Sequence, residues 1–421
     1  MRDNSPLERV AASAIPGPSE KRIALRVTPA AERALRAGHP WLFDQAIQQQ
    51  SHEGKPGDLA VVFDRKSRFL AVGLYDPHSP IRARVLQQGQ PAAIDRNWFQ
   101  SKVAAAADLR QPLSRQSDTT GYRLVHGEND GLPGLVIDRY DQTFVLKLYT
   151  AAWLPHLKNV LPALLAIAPA ERLLLRLSRA VQSQTESLYG LANGQLLLGP
   201  ALEGSLLFQE NGLTFEVDPV QGQKTGFFLD QRENRARVEG LAAGQRVLNV
   251  FAYTGGFSLY AARGGAQSVT SLDISRPALA AARRNFALNQ ENAAIAAADH
   301  ETVAGDAFQV LGHFHEQGQL FDQVIVDPPA FAKSQAEVER ALSAYAHLTG
   351  LSLALLRPGG ILVMASCSSR VSAEDFFATV NRAAANVGRP LQEIERTGHP
   401  LDHPVGFVEG AYLKCLFAVV L

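Results

Sequence analysis

Two apolar runs end in side chains that can do chemistry. Val324 to Phe331 reads V-I-V-D-P-P-A-F, and Gly359 to Ser369 reads G-G-I-L-V-M-A-S-C-S-S. The first carries a carboxylate, Asp327, and two stiff residues to the edge of a sheet. Two prolines fix the backbone and leave their carbonyls free to accept from a substrate amine or ring. Phe331 offers a face for stacking on a flipped base, so Pro328, Pro329 and Phe331 are candidate substrate contacts. The second run ends in a thiol, Cys367, flanked by hydroxyls. A nucleophilic thiol needs a lowered pKa and access to a cleft, and a strand end beside Asp327 would give access. Together they point to methyl transfer to a nucleic-acid base, with Cys367 as covalent nucleophile and Asp327 bonding or protonating a ring nitrogen of that base. The competing readings are a rigid loop that ends a strand and a cysteine that acts as a small buried hydrophobe. The latter fits Cys415, which lies inside the apolar run L-K-C-L-F-A-V-V-L.

A third stretch supplies a ligand cradle. Residues 248–257 read L-N-V-F-A-Y-T-G-G-F, an apolar strand entering a Gly-Gly turn that opens a helix. Glycines let the backbone approach a ligand closely. Asp273 ends the next strand, 17 residues after Gly256, where an acid can hold both hydroxyls of a ribose. The dinucleotide fingerprint G-x-G-x-x-G is absent. S-adenosylmethionine has no phosphate and needs no pyrophosphate cradle, so it is the expected cofactor. Asn249, Phe251, Tyr253, Thr254, Gly255, Gly256, Asp273, Asp306 and Asp327 are the candidate contacts. An ordinary strand–turn–helix joint is the alternative.

The elements that must position these residues follow from periodicity. Residues 1–20 are rich in Pro, Ser and Ala and read as a disordered lead. Residues 21–90 are compact and strand-rich, with strands at Gly57–Val62 and Phe69–Tyr75 around a polar Asp64–Arg68 turn and a Gln87–Pro91 connector. Residues 91–205 read as a small α+β domain: a helix at Trp98–Leu109, strands at Leu135–Asp138, Phe144–Tyr149, Arg172–Leu177 and Gln195–Leu198, and a helix at Trp153–Ile167. From 206 to 421 strands alternate with helices, the pattern of a parallel sheet with crossovers. Strands are expected at Arg246–Phe251, Ser268–Asp273, Asp322–Asp327 and Ile361–Ser366, and helices at Phe257–Arg263, Arg276–Asn289, Val338–Leu356 and Ala373–Val387.

Composition narrows the class. A chain of 421 residues, 46% hydrophobic and 19% charged, is globular and suited to two or three domains. It has no apolar run of membrane-spanning length, and its first residues do not read as a secretory signal. Two cysteines do not make a disulfide framework; they fit a reducing cytoplasm and exclude a zinc site built on several thiols, so no metal is expected. Net charge is zero, which argues against RNA binding by bulk charge. The first 90 residues nevertheless hold 13 Lys and Arg against 9 Asp and Glu, enough for a local basic face.

Several ordered motifs make the chain resemble the bacterial large-subunit (23S) ribosomal RNA cytosine-carbon-5 methyltransferases that join a PUA domain, a middle domain and a Rossmann-like methyltransferase domain. They are G-H-P-W-L-F (38–43), E-G-K-P-G-D (53–58), G-E-N-D-G-L-P-G-L-V-I-D-R-Y (127–140), K-T-G-F-F-L-D-Q-R (224–232), N-V-F-A-Y-T-G-G-F (249–257), D-P-P-A-F (327–331), S-C-S (366–368) and E-G-A-Y-L-K (409–414). The resemblance covers residues 22–421. It implies an α/β fold with a Rossmann-like class I methyltransferase domain preceded by a β-rich RNA-binding PUA domain and a small α+β domain. It also implies ribosomal RNA as partner, and a segment over the cofactor that includes Asp230 and Arg232. A homodimer is one assembly it permits. A wider group of RNA cytosine methyltransferases carries a second cysteine just after the Asp and Pro of the loop. Here Ala330 and Phe331 stand there, so a helper cysteine is not implied.

Two other functions share parts of this pattern. An exocyclic-nitrogen methyltransferase could use Asp327 and the Pro328-Pro329 carbonyls to hold an adenine or guanine amine and would need no cysteine. A non-catalytic RNA-binding assembly factor would need neither Asp273 nor the Gly255-Gly256 turn, and both are present.

Overall fold

The computed structural model describes residues 17–421. The expected disordered lead therefore lies outside the described residues up to position 16; just beyond it, the Ser19 amide donates to Asp58 Oδ1 at 3.1 Å. The chain forms two compact units. One runs to Gly212 and adds Val217–Leu229 and Leu401–Phe407; the other comprises Leu213–Glu216, Asp230–Pro400 and Val408–Leu421.

The first unit opens with β1 (Ile23–Val27), α1 (Pro29–Arg36), β2 (Trp41–Phe43), β3 (Ile47–Gln50), β4 (Leu59–Phe63), β5 (Phe69–Tyr75) and β6 (Ile81–Gln88). They make a six-stranded sheet in the order β2-β6-β5-β4-β1-β3. β1 alternates strictly: Ile23, Leu25 and Val27 are buried, whereas Ala24 and Arg26 face solvent. Asp64 fixes the β4–β5 turn by accepting from the Lys66 and Arg68 amides, both at 2.8 Å. The sequence reading placed Gln87 and Gln88 in a connector. They belong to β6, because they pair with Val72 and Ala71.

The same unit continues with α2 (Arg96–Leu109), α3 (Gln111–Ser114), β7 (Gly121–His126), β8 (Leu135–Tyr140), β9 (Thr143–Leu148), α4 (Leu157–Ile167), β10 (Arg172–Leu177), α5 (Arg179–Tyr189), β11 (Leu196–Leu198) and β12 (Leu206–Glu210). A second sheet runs β11-β10-β9-β8-β7. The helix expected from Trp153 starts as a 3₁₀ turn, Ala151–His156, and becomes α-helical only at Leu157. Pro155 has no N–H to join an α ladder there. One hydrophobic core joins Leu59, Val72, Leu74 and Leu86 of the first sheet to Phe99, Leu146, Trp153 and Leu164, which makes these segments one body.

The second unit contains β13 (Leu213–Val217), α6 (Arg232–Leu241), β14 (Arg246–Val250), α7 (Gly256–Arg263), β15 (Ser268–Asp273), α8 (Arg276–Leu288), α9 (Ala293–Ala297), β16 (Asp299–Ala304), α10 (Ala307–Glu316), β17 (Phe321–Val326), α11 (Val338–Ala354), β18 (Leu356–Ser366), α12 (Ala373–Asn386), β19 (Leu391–Thr397) and β20 (Lys414–Val420). Its seven-stranded sheet runs β16-β15-β14-β17-β18-β20-β19, parallel from β16 to β18 and antiparallel at β20 and β19. The central strands are continuous apolar runs because both faces are buried: Val247, Leu248, Val324, Val326, Leu362 and Met364 are all 0% exposed. The α/β class and the Rossmann-like sheet are as the sequence indicated. The edge strands β16 (D-H-E-T-V-A) and β19 (L-Q-E-I-E-R-T) were not foreseen, since exposed edges carry polar residues that hide the strand pattern.

Candidate active site

After β14 the chain crosses to β15 and β16, then returns to lay β17 on the other side of β14. That reversal makes the carboxyl ends of β14 and β17 a topological switch point, the place where ligands bind in open α/β sheets. The candidate residues at the ends of β14, β15, β17 and β18 all lie at this end of one sheet.

The turn after β14 is built by unusual backbone. Phe251 has φ 62°, Tyr253 φ 49° and Gly255 φ 77°. Two non-glycine residues in the left-handed region store local strain, which persists only where the surroundings enforce it. The enforcement is visible: Ala252 N donates to Leu272 O at 2.9 Å, Asn285 Nδ2 to Thr254 O at 2.8 Å, and Tyr253 N to Asp273 Oδ2 at 2.8 Å. Asp273 Oδ1 accepts from Ser275 N at 2.8 Å. The half-buried carboxylate thus shapes the turn and keeps further lone pairs for a ligand. A Cβ at Gly255 would lie 2.8 Å from Ala282 Cβ, so the glycine is required both for its φ and for its space. Beneath the turn runs a buried chain: Asn249 Nδ2 to Ser258 Oγ (2.9 Å), Ser258 to Ser271 (2.7 Å), and Ser271 to His300 Nε2 (2.9 Å).

Two buried oxygens in this turn have no hydrogen-bond partner, Asn249 Oδ1 and Thr254 Oγ1. Orphaned buried polar atoms are rare in folded proteins. An acceptor and a hydroxyl so placed, beside a carboxylate and a close-approach glycine, fit a nucleoside cofactor bearing amino and hydroxyl groups. Asp306 caps α10 by accepting from Gln309 N at 3.2 Å and is exposed. The pairing of Asp273 with Ala304 brings Gly305-Asp306 alongside the end of β15. Asp230 and Arg232 are buried at the start of α6. Asp230 Oδ2 accepts from Tyr412 Oη at 2.8 Å, and Arg232 lies 3.7 Å from Glu233.

The thiol side has a different construction. β17 and β18 pair in parallel with Val326 opposite Met364, which puts Asp327 and Cys367 at adjacent strand ends. Both are half-buried. Cys367 Sγ lies 3.8 Å from the Pro328 carbonyl oxygen, so the two motifs first picked out from sequence meet. Ser368 Oγ donates to Ala332 O at 3.2 Å and ties the thiol's turn to the Asp327 loop. Tyr345 Oη is 2.9 Å from Ser366 Oγ, and burial raises the phenol's pKa above its ordinary value. Pro328 is buried and Pro329 exposed. Phe331 is half-buried, packs against the core and meets Tyr345 at 5.1 Å between ring centres. Cys415 is 0% exposed opposite Ala365, and burial pushes its thiol well above the ordinary range.

Sequence reasoning gave no role to Tyr412 or Lys414, though both stand in the quoted E-G-A-Y-L-K run. The available signal was a lysine opening an otherwise apolar strand. Among the described residues no group of three His, Cys, Asp or Glu could hold a metal ion, and no helix is long and apolar enough to cross a membrane.

Comparison with known proteins agrees with this geometry. Residues 187–417 match the family model for S-adenosylmethionine-dependent methyltransferases, and residues 25–88 match a PUA-like domain. The chain is 51% identical over 406 residues to the ribosomal RNA large subunit methyltransferase of Deinococcus radiodurans, covering 96% of this chain and 98% of that one. It is 38% identical over 393 residues to the ribosomal RNA large subunit methyltransferase I of Pseudoalteromonas translucida, covering 92% and 97%. A solved structure assigned as a SAM-dependent methyltransferase from Streptococcus mutans superposes with TM-score 0.79 at 22% identity, over 94% of this chain and 100% of that one. A second, complexed with SAH, gives TM-score 0.79 at 21% identity over 95% and 100%. These last two are likenesses of fold.

Proposed function

The chain belongs to the S-adenosylmethionine-dependent ribosomal RNA large-subunit methyltransferases, and on that premise we propose that it methylates carbon-5 of a cytosine in 23S ribosomal RNA through a covalent bond to Cys367. The observation that carries this reading is the approach of the half-exposed Cys367 thiol to the Pro328 carbonyl, 3.8 Å away, at the same end of the sheet as the turn after β14. The cofactor supplies an electrophilic methyl group. Asn249, Thr254, Gly255 and Asp273 would hold it, with Phe251, Tyr253 and Gly256 shaping the turn, and Asp230, Arg232 and Asp306 at its margins.

Carbon-5 of cytosine is a poor nucleophile. The Cys367 thiolate adds at carbon-6, and the ring electrons it displaces make carbon-5 enamine-like. Asp327 bonds or protonates ring nitrogen 3 and takes up the charge that develops there. Carbon-5 would then take the methyl group as its bond to the sulfonium breaks and a thioether is left; a base would take the carbon-5 proton, the nitrogen-3 proton would return to Asp327, and the thiolate would leave carbon-6, which restores the aromatic ring. Pro329, exposed at the loop tip, and the Pro328 carbonyl border the space for the base. Phe331 supports that loop through Tyr345.

The PUA-like domain is proposed to capture the RNA. Arg26 and Arg65 line an open groove with Gln48 and Gln49, so phosphate contacts there would weaken with salt. Such a substrate places the reaction in the cytoplasm.

The test is a covalent trap. Ribosomal RNA carrying 5-fluorocytosine at the target should form an adduct with the protein that survives denaturation, because fluorine cannot leave as a proton does. The adduct should map to Cys367 by peptide mass. Methyl transfer with no adduct, together with full activity of Cys367→Ala, would overturn the covalent reading and promote methylation of an exocyclic amine.

A further inference from the structure

Lys414 is the first residue of β20 and lies opposite Ser366 in the β18–β20 pairing. It is only 3% exposed. Its Nζ donates to Ser368 O at 2.5 Å and Val371 O at 2.7 Å. Both acceptors are neutral carbonyls, and among the described residues the ammonium makes no ion pair with a carboxylate. A buried charge without a counter-ion is costly and is kept where something nearby balances it. The two carbonyls belong to the turn that begins at Cys367, so the lysine sits beneath the loop that carries the nucleophile.

We propose that Lys414 is the positioning residue for Cys367: its buried ammonium holds the 366–371 turn in place and supplies the positive field that keeps the thiol in its reactive thiolate form. The inference rests on Cys367 being the nucleophile.

The need for such a charge follows from the other groups around the thiol. The carboxyl of Asp327, from the adjacent strand end, opposes a second negative charge whenever it is ionised. Tyr345, from α11, is neutral and spends its hydroxyl on Ser366. Cys415, on β20, is a neutral buried thiol. Lys414 is thus the buried cation of this strand end, whereas Arg370, on the same turn, is exposed to solvent. Burial lowers the lysine's own pKa to about 8, and the negative charge of Cys367 works in the opposite direction. Because such coupling is mutual, the ammonium favours the thiolate to the same degree that the thiolate favours the ammonium.

The experiment is alkylation of the full-length protein by iodoacetamide across pH 5 to 10 (an interval of about two units either side of neutrality or more), with Cys367 followed by peptide mass. In the wild type the midpoint should fall below the ordinary thiol value of about 8.5. Lys414→Met should raise it by about one unit and slow alkylation at neutral pH about tenfold. Lys414→Arg, which keeps the charge, should return most of that shift, and the pH profile of methyl transfer should move in parallel. An unshifted midpoint in folded Lys414→Met overturns the proposal. So does a wild-type midpoint at or above the ordinary value, which needs no variant to fold. The thiol profile is independent of methyl transfer. Activity persisting in Cys367→Ala would therefore sink the covalent reading and leave the measured link between Lys414 and the thiol standing.

Discussion

The turn after β14 and the turn after β18 lie at the same end of one sheet and are held by opposite means. The first is held by its backbone: three left-handed residues, 251, 253 and 255, are locked by amide contacts to Asp273, Leu272 and Asn285. Its side chains leave an acceptor and a hydroxyl unspent. The second has no left-handed residue from 366 to 371 and is held by side chains instead: Ser366 to Tyr345, Ser368 to Ala332, and Lys414 to two carbonyls. The difference suits the two tasks proposed for them. A binding turn must admit a ligand against bare backbone, so it tolerates strain and excludes Cβ atoms. A turn that presents a nucleophile must fix one side chain and set its charge, so it uses buried polar partners.

The sharpest break of this comparison is a pair of variants. Cys367→Ala should abolish methyl transfer and leave S-adenosylmethionine affinity nearly unchanged by calorimetry, because the thiol acts only in the reaction. Gly255→Ala should act on cofactor binding and leave the thiol unaffected. A methyl group there meets Ala282 Cβ at 2.8 Å and imposes φ 77° on an L-residue, a combined cost on the order of 2–3 kcal/mol. Cofactor affinity should fall at least tenfold, while alkylation of Cys367 keeps its rate. If Cys367→Ala loses cofactor affinity, or Gly255→Ala slows alkylation of Cys367, the division of labour is wrong.

The sequence exposed these two turns unequally. Glycines, an apolar strand and a following Asp273 announced the first, since backbone freedom is written in residue type. The left-handed Phe251 and Tyr253 were invisible, because nothing in those side chains favours positive φ; tertiary hydrogen bonds impose it. For the second turn the proposed nucleophile and acid were legible as strand endings, and their adjacency followed once β17 and β18 paired. Lys414 was not. It lies 47 residues from Cys367 in the chain and meets the loop only because β20 inserts antiparallel beside β18, a pairing that no periodicity reveals. The parallel strands were readable as continuous apolar runs. The polar edges β16 and β19 were not, and Asp306, picked as a cofactor contact, turned out to cap α10 as well.

A smaller effect reports on the support beneath the first turn. The half-buried His300 stacks on Phe286 at 3.6 Å and bonds Ser271. Burial, with the Arg283 guanidinium nearby, lowers its pKa from 6.5 to about 4. Through that window the unfolded chain binds a proton that the folded imidazole does not. Stability is therefore full above pH 6.5 and declines as pH falls toward 4. The loss is bounded by about 3 kcal/mol and reduced by the ring's partial exposure. His300→Gln should flatten denaturant midpoints between pH 6.5 and 4, and an unchanged slope would remove His300 as the cause.

The smallest effect tests whether thiol chemistry in this unit depends on place alone. Cys415 and Cys367 sit on neighbouring strands, and Cys415 pairs with Ala365, two residues before the proposed nucleophile. Yet Cys415 is fully buried and its thiol is pushed up by desolvation first, then by the negative charge of Asp327. It contributes packing and no reactive anion. Cys415→Ala removes one sulfur atom from a closed core and should cost about 1 kcal/mol, lowering Tm by ~2–4 °C. Methyl transfer, adduct formation with 5-fluorocytosine RNA and the alkylation profile of Cys367 should all be unchanged. Thermal unfolding and single-turnover transfer on the same preparation decide it: a fall in transfer rate without a fall in Tm would place Cys415 in the chemistry and erase the contrast between the two thiols.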